Sequence, residues 1–120
     1  MTKRAKRSRS ASPAVSPERA ARLYRLLQLL AKGPQSRATL LKRLRLDVRG
    51  FYRDLELLRL SGIVVSLHER RYALEGERSE AVSYLPFPDP RFSLGDAIQL
   101  AKGRTQAHQK LREQIAVVTA

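Results

Sequence analysis

The chain has 120 residues, with 24 lysine and arginine side chains against 11 aspartates and glutamates, and a formal net charge of +13. It has no cysteine and only two histidines, which lie far apart, so we expect no disulfide, no metal site and no cofactor. No apolar run approaches the roughly 18 residues of a transmembrane helix, and the basic N-terminus lacks the apolar segment of a signal peptide. A cytoplasmic protein of one domain with an added tail is therefore expected.

The positive charge is unevenly distributed along the sequence. Residues 1–16 carry five basic and no acidic side chains, residues 17–75 carry 13 and six, and residues 76–120 carry six and five. A polyanionic partner is the simplest explanation of this asymmetry, and nucleic acid is the commonest polyanion. We expect no association with a membrane.

Residues 1–15 are rich in basic residues, serine and proline and show no apolar period, which predicts a disordered arm. The simpler interpretation is a solubilising tail. The alternative is an arm that follows DNA phosphates or enters a minor groove, and non-specific attraction to phosphate requires no structure.

Three predicted helices open the next segment, residues 16–75. Ser16 caps the first, Pro17 suits its first position, and Gly33 with Pro34 ends it. Its apolar side chains fall on one stripe: Leu23, Leu26, Leu27 and Leu30. The arginines off this stripe, which we interpret as solvated, are Arg19, Arg22 and Arg25. Ser36 caps a second, shorter helix over about residues 37–45.

The third predicted helix begins after Asp47, a good N-cap, and ends before Gly62. Its apolar side is formed by Val48, Phe51, Leu55 and Leu58, and Arg49 and Arg53 lie nearly opposite. Only Arg45 and Leu46 separate the second helix from the capping Asp47, so the two helices must cross steeply, as in a helix-turn-helix. Two leucines point toward the arginine side, Leu57 and Leu60. We expect another part of this chain to cover them; the alternative is that they belong to an interface.

After Gly62 the pattern becomes that of a β-hairpin. Residues 63–67 are apolar and mostly β-branched, residues 68–70 form a polar turn, and residues 71–74 are again extended. Three helices followed by a hairpin predict a winged helix. Arg70 and Arg71 lie at the tip of the wing, where they either meet DNA phosphate or minor groove or form a merely solvated turn.

The remaining sequence predicts an extended proline-rich strap over residues 76–92 and a helical extension over residues 93–120. Three prolines within residues 86–90 prevent a helix there. Ser93 caps a short helix that Gly103 closes, and Thr105 caps the last helix. The expected fold is mainly α with a small β-hairpin: a winged helix-turn-helix, the strap and two C-terminal helices.

No catalytic arrangement is found in the sequence. There is no nucleophile elbow, no glycine-rich phosphate loop followed by lysine, and no cysteine–histidine pair. The carboxylates are scattered and mostly lie at helix caps or beside arginines. We therefore expect that the protein is not an enzyme.

The run from Leu46 to Gly62 resembles the recognition helix of winged-helix bacterial repressors of the DeoR-like and WYL-domain groups. The residues that match their pattern are Arg49, Phe51, Arg53, Asp54, Leu55, Leu58 and Gly62. In that family a serine and a threonine at the helix start help to hold a DNA phosphate. Asp47 and Gly50 stand in their places: Asp47 can still cap the helix but repels phosphate, whereas Gly50 permits close approach of the backbone to DNA.

The resemblance covers residues 17 to about 75 and implies a winged helix. Beyond residue 80, the strap and the two helices look like the segment that links the winged helix to the sensing domain in WYL regulators. We expect this chain to lack that sensing domain and to have no small-molecule effector. The last helix is then the candidate for a homodimer, which would match a two-fold-symmetric operator.

Together these features predict sequence-specific binding of double-stranded DNA by a transcriptional regulator, associated with the nucleoid when bound. The predicted DNA contacts are Arg45, Arg49, Gly50, Tyr52, Arg53, Arg70 and Arg71. Arg49 and Arg53 would read guanine in the major groove, because an arginine fork fits its O6 and N7 atoms. Asp54 is better explained as an intramolecular partner for an arginine. The alternative function is a protein–protein or RNA module without specific DNA readout, which the residues at positions 47 and 50 favour.

Overall fold

A computed structural model describes residues 14–120, so the predicted disordered arm lies, but for its last two residues, outside the described part of the chain. The chain divides into two compact units, with the division between Pro88 and Asp89. Within residues 14–120 the fold is mainly helical and contains one small antiparallel sheet, as predicted.

The first unit contains four helices and three strands. The helices are α1 (Pro17–Ala31), α2 (Arg37–Leu44), α3 (Val48–Leu60) and α4 (Arg78–Ser83). The strands are β1 (Gln35–Ser36), β2 (Val65–His68) and β3 (Arg71–Leu74). The second unit contains α5 (Leu94–Leu100) and α6 (Gln106–Thr119).

The three helix caps predicted in the first unit are confirmed. The side-chain oxygen of Ser16 accepts from the backbone N–H of Arg19 at 3.1 Å, and that of Ser36 accepts from Thr39 at 3.2 Å. The Oδ1 atom of Asp47 accepts from the third residue of α3 at 2.7 Å. Because each cap satisfies an N–H that the helix leaves free, it fixes where its helix begins.

The predicted hairpin is present, and the sheet has a third strand that the sequence did not indicate. β2 and β3 pair in antiparallel register, from Val65 opposite Leu74 to His68 opposite Arg71. β1 pairs with the other edge of β3, so the strand order is β1-β3-β2. Because β1 immediately precedes α2, this pairing connects the hairpin to the start of that helix.

The core forms where α1, α2, α3 and the sheet meet. The predicted leucine stripe of α1 is fully or almost fully buried, and it packs with side chains from the other elements: Leu40, Leu44, Phe51, Leu57, Leu58, Ile63 and Tyr72. Phe51 packs edge-to-face against Tyr72, with ring centroids 5.2 Å apart. Edge-to-face aromatic pairs add to the stabilisation that burial gives.

The buried face of α3 is rotated from the predicted one. Val48 is exposed and Leu55 is only half-buried, whereas Asp54 and Leu57 are buried. Leu57 is thus covered within the chain, as we favoured, but Leu60 is 61% exposed. The predicted apolar side did not include Asp54, whose carboxylate is costly to bury unless it is paired.

Two arginines of α1 compensate for the burial of Asp54, whose side chain is 1% exposed. Arg19 Nε donates to Asp54 Oδ1 at 2.9 Å, and Arg22 binds both oxygens, at 2.7 Å and 3.0 Å. The hydrogen bond to Asp54 raises the pKa of Arg22. The interpretation of Arg19 and Arg22 as solvated is therefore wrong, that of Arg25 is confirmed, and Asp54 is the intramolecular partner that we expected.

Residues 76–92 are not extended throughout, because residues 78–83 form α4. Their polar composition suggested a turn, but α4 packs on α1 and buries Ala81, with Val82 and Leu85 partly buried beside the core. This tertiary contact overrides the weak local signal. Further along, Pro86 is buried and Phe87 is exposed.

The second unit, Asp89–Ala120, consists of α5 and α6 packed against each other. The predicted caps are both confirmed: Ser93 forms a capping box with Asp96, and Thr105 forms one with His108. α5 ends at Leu100 and does not reach Gly103. Ala101 is the buried hydrophobic residue of this unit, and most of its larger apolar side chains are exposed.

Replacing Asp54 with alanine should lower the free energy of unfolding by about 3 kcal/mol, because it leaves two arginines without their buried partner. These arginines are 31% and 28% exposed, which keeps the expected loss at the lower end of the range for buried pairs. Urea titration of the full chain would measure it.

Glu56→Ala is the matched control, because Glu56 also lies on α3 and also binds an arginine, Arg59, but both of these side chains are exposed. Its loss should be small. Equal losses for the two variants would contradict a structural role of the Asp54 cluster.

Candidate nucleic-acid interface

The outward face of α3 carries three of the predicted contact residues, Arg49, Tyr52 and Arg53, all of them exposed. They point away from the core because Phe51 and Asp54, on the same helix, point into it. Arg45 is exposed at the end of α2, where its left-handed backbone (φ 56°) turns the chain toward α3. The predicted cationic helix face is therefore present.

Gly50 is the predicted contact residue that the structure buries. Its N–H donates to Asp47 Oδ1, and a Cβ atom at this position would lie 2.9 Å from that oxygen and 3.1 Å from Leu46 Cδ2. The close approach of the Asp47 cap is thus a reason for glycine at this position within the fold itself, and the DNA contact of Gly50 stays a prediction. A larger residue here would have to displace the cap.

A groove lies between α2, α3 and the hairpin on one side of this face. We call it the tyrosine groove; it is lined by Arg37, Ala38, Leu41, Tyr52, Leu67, Arg70 and Tyr72. Its walls are mostly apolar or aromatic, and its charged side chains are both arginines. The structure thus brings together two of the predicted contact residues, Tyr52 and Arg70, and adds Arg37.

Sequence reasoning missed Arg37. It is the first residue of α2 and directly follows the capping Ser36, a position that the apolar period of the helix does not mark. Its Nη1 atom donates to the hydroxyl oxygen of Tyr52 at 3.0 Å. Neighbours 15 residues apart in the sequence can be recognised only in the folded chain.

The two tyrosines of the groove have different environments. Their hydroxyl oxygens are 3.5 Å apart. Burial, followed by the hydrogen bond with Tyr52, raises the pKa of Tyr72 to about 12. The hydrogen bonds from Tyr72 and then from Arg37 lower the pKa of Tyr52. The Tyr72 hydroxyl is therefore protonated at physiological pH.

A second depression lies on the other side of α3. It is lined by Arg19, Arg22, Leu46, Asp47, Gly50, Arg53 and Asp54. Arg19 and Arg22 are already engaged by Asp54, and Arg19 Nη2 also donates to the backbone oxygen of Arg53 at 3.0 Å. The side chain of Arg53 is exposed at this edge.

The tip of the hairpin is a two-residue turn whose residues, Glu69 and Arg70, both have left-handed backbone conformations (φ 51° and 66°). Such turns favour asparagine and glycine, because a Cβ atom makes this conformation costly. Arg70 lines the tyrosine groove, whereas Arg71 is exposed on β3 opposite His68 and does not line it. The turn thus places a charged side chain where the fold alone would favour glycine.

Neither a metal site nor a membrane span is found in the described part of the chain. Within residues 14–120, no three histidine, aspartate or glutamate side chains form a group that could hold a metal ion. No helix there combines the length and the apolar character needed to cross a lipid bilayer.

Comparison of the chain with protein-family models, with curated proteins and with solved structures gives no match. The assignment of a function therefore depends on the geometry and charge described above.

Arg70→Gly should raise the free energy of unfolding by about 0.5–1 kcal/mol, because glycine adopts the left-handed conformation without the Cβ penalty but costs more entropy on folding. Arg71→Gly is the control, since Arg71 has the same side chain but lies in a paired strand and should lose stability on substitution. Thermal unfolding of both variants measures the two effects. A loss of stability in Arg70→Gly would show that the tip is not strained.

Proposed function

We propose that this chain is a winged helix-turn-helix protein that binds specific sequences in double-stranded DNA, with α3 as its recognition helix, and that it regulates transcription. The observation that carries the proposal is the outward face of α3. Arg49, Tyr52 and Arg53 are exposed together on a helix whose opposite face is held by Phe51 and Asp54. A helix exposed in this way can enter a major groove with its arginine-bearing face toward the bases.

The spacing of the two arginines suits base readout. Arg49 and Arg53 are one turn apart, which separates them by about 6 Å along the helix axis and matches roughly two base-pair steps. Each guanidinium can donate two hydrogen bonds to the O6 and N7 atoms of a guanine. Arg45 and Arg71 are exposed on neighbouring elements and would contact phosphates, which orients the protein without specifying sequence.

The net charge agrees with this proposal. Residues 17–75 carry 13 basic and six acidic side chains, and one of the acids, Asp54, is buried and paired with arginines. The basic excess is thus left on the surface of the first unit, where it attracts a polyanion.

The first experiment selects bound sequences from a random duplex pool and measures the affinity of the full chain for the selected duplex and for random duplex. Arg49→Ala and Arg53→Ala should each weaken binding to the selected duplex by about 1–3 kcal/mol and weaken binding to random duplex much less. The expected reason is the loss of a base contact rather than of a phosphate contact.

Arg59→Ala is the matched control, because Arg59 is an exposed arginine on the same helix, bound to Glu56 near the other end. It should leave the ratio of the two affinities unchanged. Equal weakening on both duplexes in Arg53→Ala would mean that Arg53 touches only phosphate. If the wild-type chain does not bind duplex, or if its binding does not depend on salt, the alternative of a protein–protein or RNA module replaces this proposal.

A second part of the proposal concerns the second unit. We propose that two copies associate through α5 and α6, which would match a two-fold-symmetric operator. Ala101 is the buried hydrophobic residue of this unit, and its larger apolar side chains remain exposed: Leu94, Ile98, Leu100, Val117 and Val118. The unit is also nearly balanced in charge, with five basic and three acidic side chains, so two copies repel each other little.

Ile98→Glu should shift the chain from dimer to monomer in sedimentation equilibrium, because it places a charge on the proposed contact. Gln99→Glu introduces the same charge at an exposed neighbouring position of α5 and should leave the dimer intact. Circular dichroism should show equal helix content in both variants. A wild-type chain that is monomeric at all accessible concentrations would overturn this part of the proposal.

A further inference from the structure

The hydroxyl of Tyr52 lies between two other groups of the tyrosine groove, the Arg37 guanidinium and the Tyr72 hydroxyl. Arg37 donates to the Tyr52 oxygen and, being a guanidinium, cannot accept. Tyr72 is buried, and among the described residues its hydroxyl has one partner, the Tyr52 oxygen. The two hydroxyls share this contact at 3.5 Å, and either of them can be the donor.

When Tyr72 is the donor, the Tyr52 oxygen accepts from both neighbours and its own proton can be donated to a bound group. A group that binds beside this phenol and the guanidinium groups must be an acceptor, because the arginines can only donate. Arg70, from the tip of the hairpin, lines the groove together with Arg37 from the start of α2, so two cations from separate elements face the same space. No acidic side chain lines it.

The apolar walls of the groove indicate that the ligand also has an apolar part. Ala38, Leu41 and Leu67 give it an apolar surface, which a small hydrated anion would not use. A phosphodiester has both parts: anionic oxygens for the guanidinium groups and the phenol, and a deoxyribose for the apolar wall. Bidentate arginine–phosphate pairs are among the strongest hydrogen bonds in proteins.

We propose that the tyrosine groove holds one phosphate of the DNA backbone, with Arg37, Tyr52 and Arg70 as its ligands. This inference rests on the proposed function. It also gives DNA an anchor at a point away from the start of α3, where the Asp47 carboxylate repels a phosphate. Tyr72 is a positioning residue, because it acts through the Tyr52 oxygen.

The test measures affinity for selected and random duplex as a function of salt concentration. Arg37→Ala and Arg70→Ala should each reduce the slope of log affinity against log salt by about 1 and weaken binding to both duplexes by about tenfold. Tyr52→Phe, which removes a neutral donor, should weaken both without changing the slope. Tyr72→Phe should weaken both less than Tyr52→Phe does. Arg59→Ala, an exposed arginine outside the groove, should leave affinity and slope close to wild type.

A more specific experiment uses duplexes in which single phosphates are replaced by uncharged methylphosphonates. At one backbone position, the methylphosphonate should weaken binding of the wild-type chain. The same methylphosphonate should hardly change the already reduced affinity of Arg37→Ala and Arg70→Ala. Inorganic phosphate at matched ionic strength should not displace the duplex. Displacement from the wild type, but not from Arg37→Ala, would make this a site for a free anion and would overturn the inference.

The failure of this inference is distinguishable from the failure of the proposed function. If binding remains specific and depends on Arg49 and Arg53, but the salt slope is unchanged in Arg37→Ala and Arg70→Ala, the groove does not hold phosphate and the recognition helix stands. If the wild-type chain does not bind duplex at all, both the proposed function and this inference are wrong. Thermal unfolding of each variant separates a lost contact from a lost fold.

Discussion

The structure of the first unit depends on the burial of one carboxylate. Asp54 lies on the inner face of α3, where an unpaired charge would cost several kcal/mol, and Arg19 and Arg22 of α1 supply its partners. A leucine at this position would still pack after a small rotation of the helix. The paired carboxylate would not, because each of its oxygens must stay within hydrogen-bond distance of an arginine. The ion cluster therefore fixes the rotation of α3 about its axis. The exposure of Arg49, Tyr52 and Arg53 follows from that rotation.

Local features of the fold could be predicted from the sequence. The caps at Ser16, Ser36 and Asp47 and the leucine stripe of α1 depend on residues within a few positions of each other, and all are confirmed. The rotation of α3 could not be predicted, because the partners of Asp54 are 32 and 35 residues away. β1, with two residues, is too short to show alternation, and α4 depends on its contact with α1.

The candidate site, too, could be predicted only in part, because some of its residues are far apart in the sequence. The exposed arginines of α3 follow from helical periodicity, and Arg70 follows from the hairpin. Arg37 belongs to the site only because β1 and β3 bring the start of α2 beside the hairpin. At Gly50 the structure adds a constraint that the sequence did not show, namely the small space that the Asp47 cap leaves for a side chain.

The short strand β1 has a consequence for how a duplex is read. It pairs with the central strand and continues directly into α2, so backbone hydrogen bonds connect the hairpin to the start of that helix. In the proposed complex the distance between α3 and the hairpin tip is then set by the protein, and the DNA must match it. A duplex of unsuitable groove width would have to deform, at a cost that depends on its sequence. Part of the selectivity would thus arise from the stiffness of base pairs that no side chain touches.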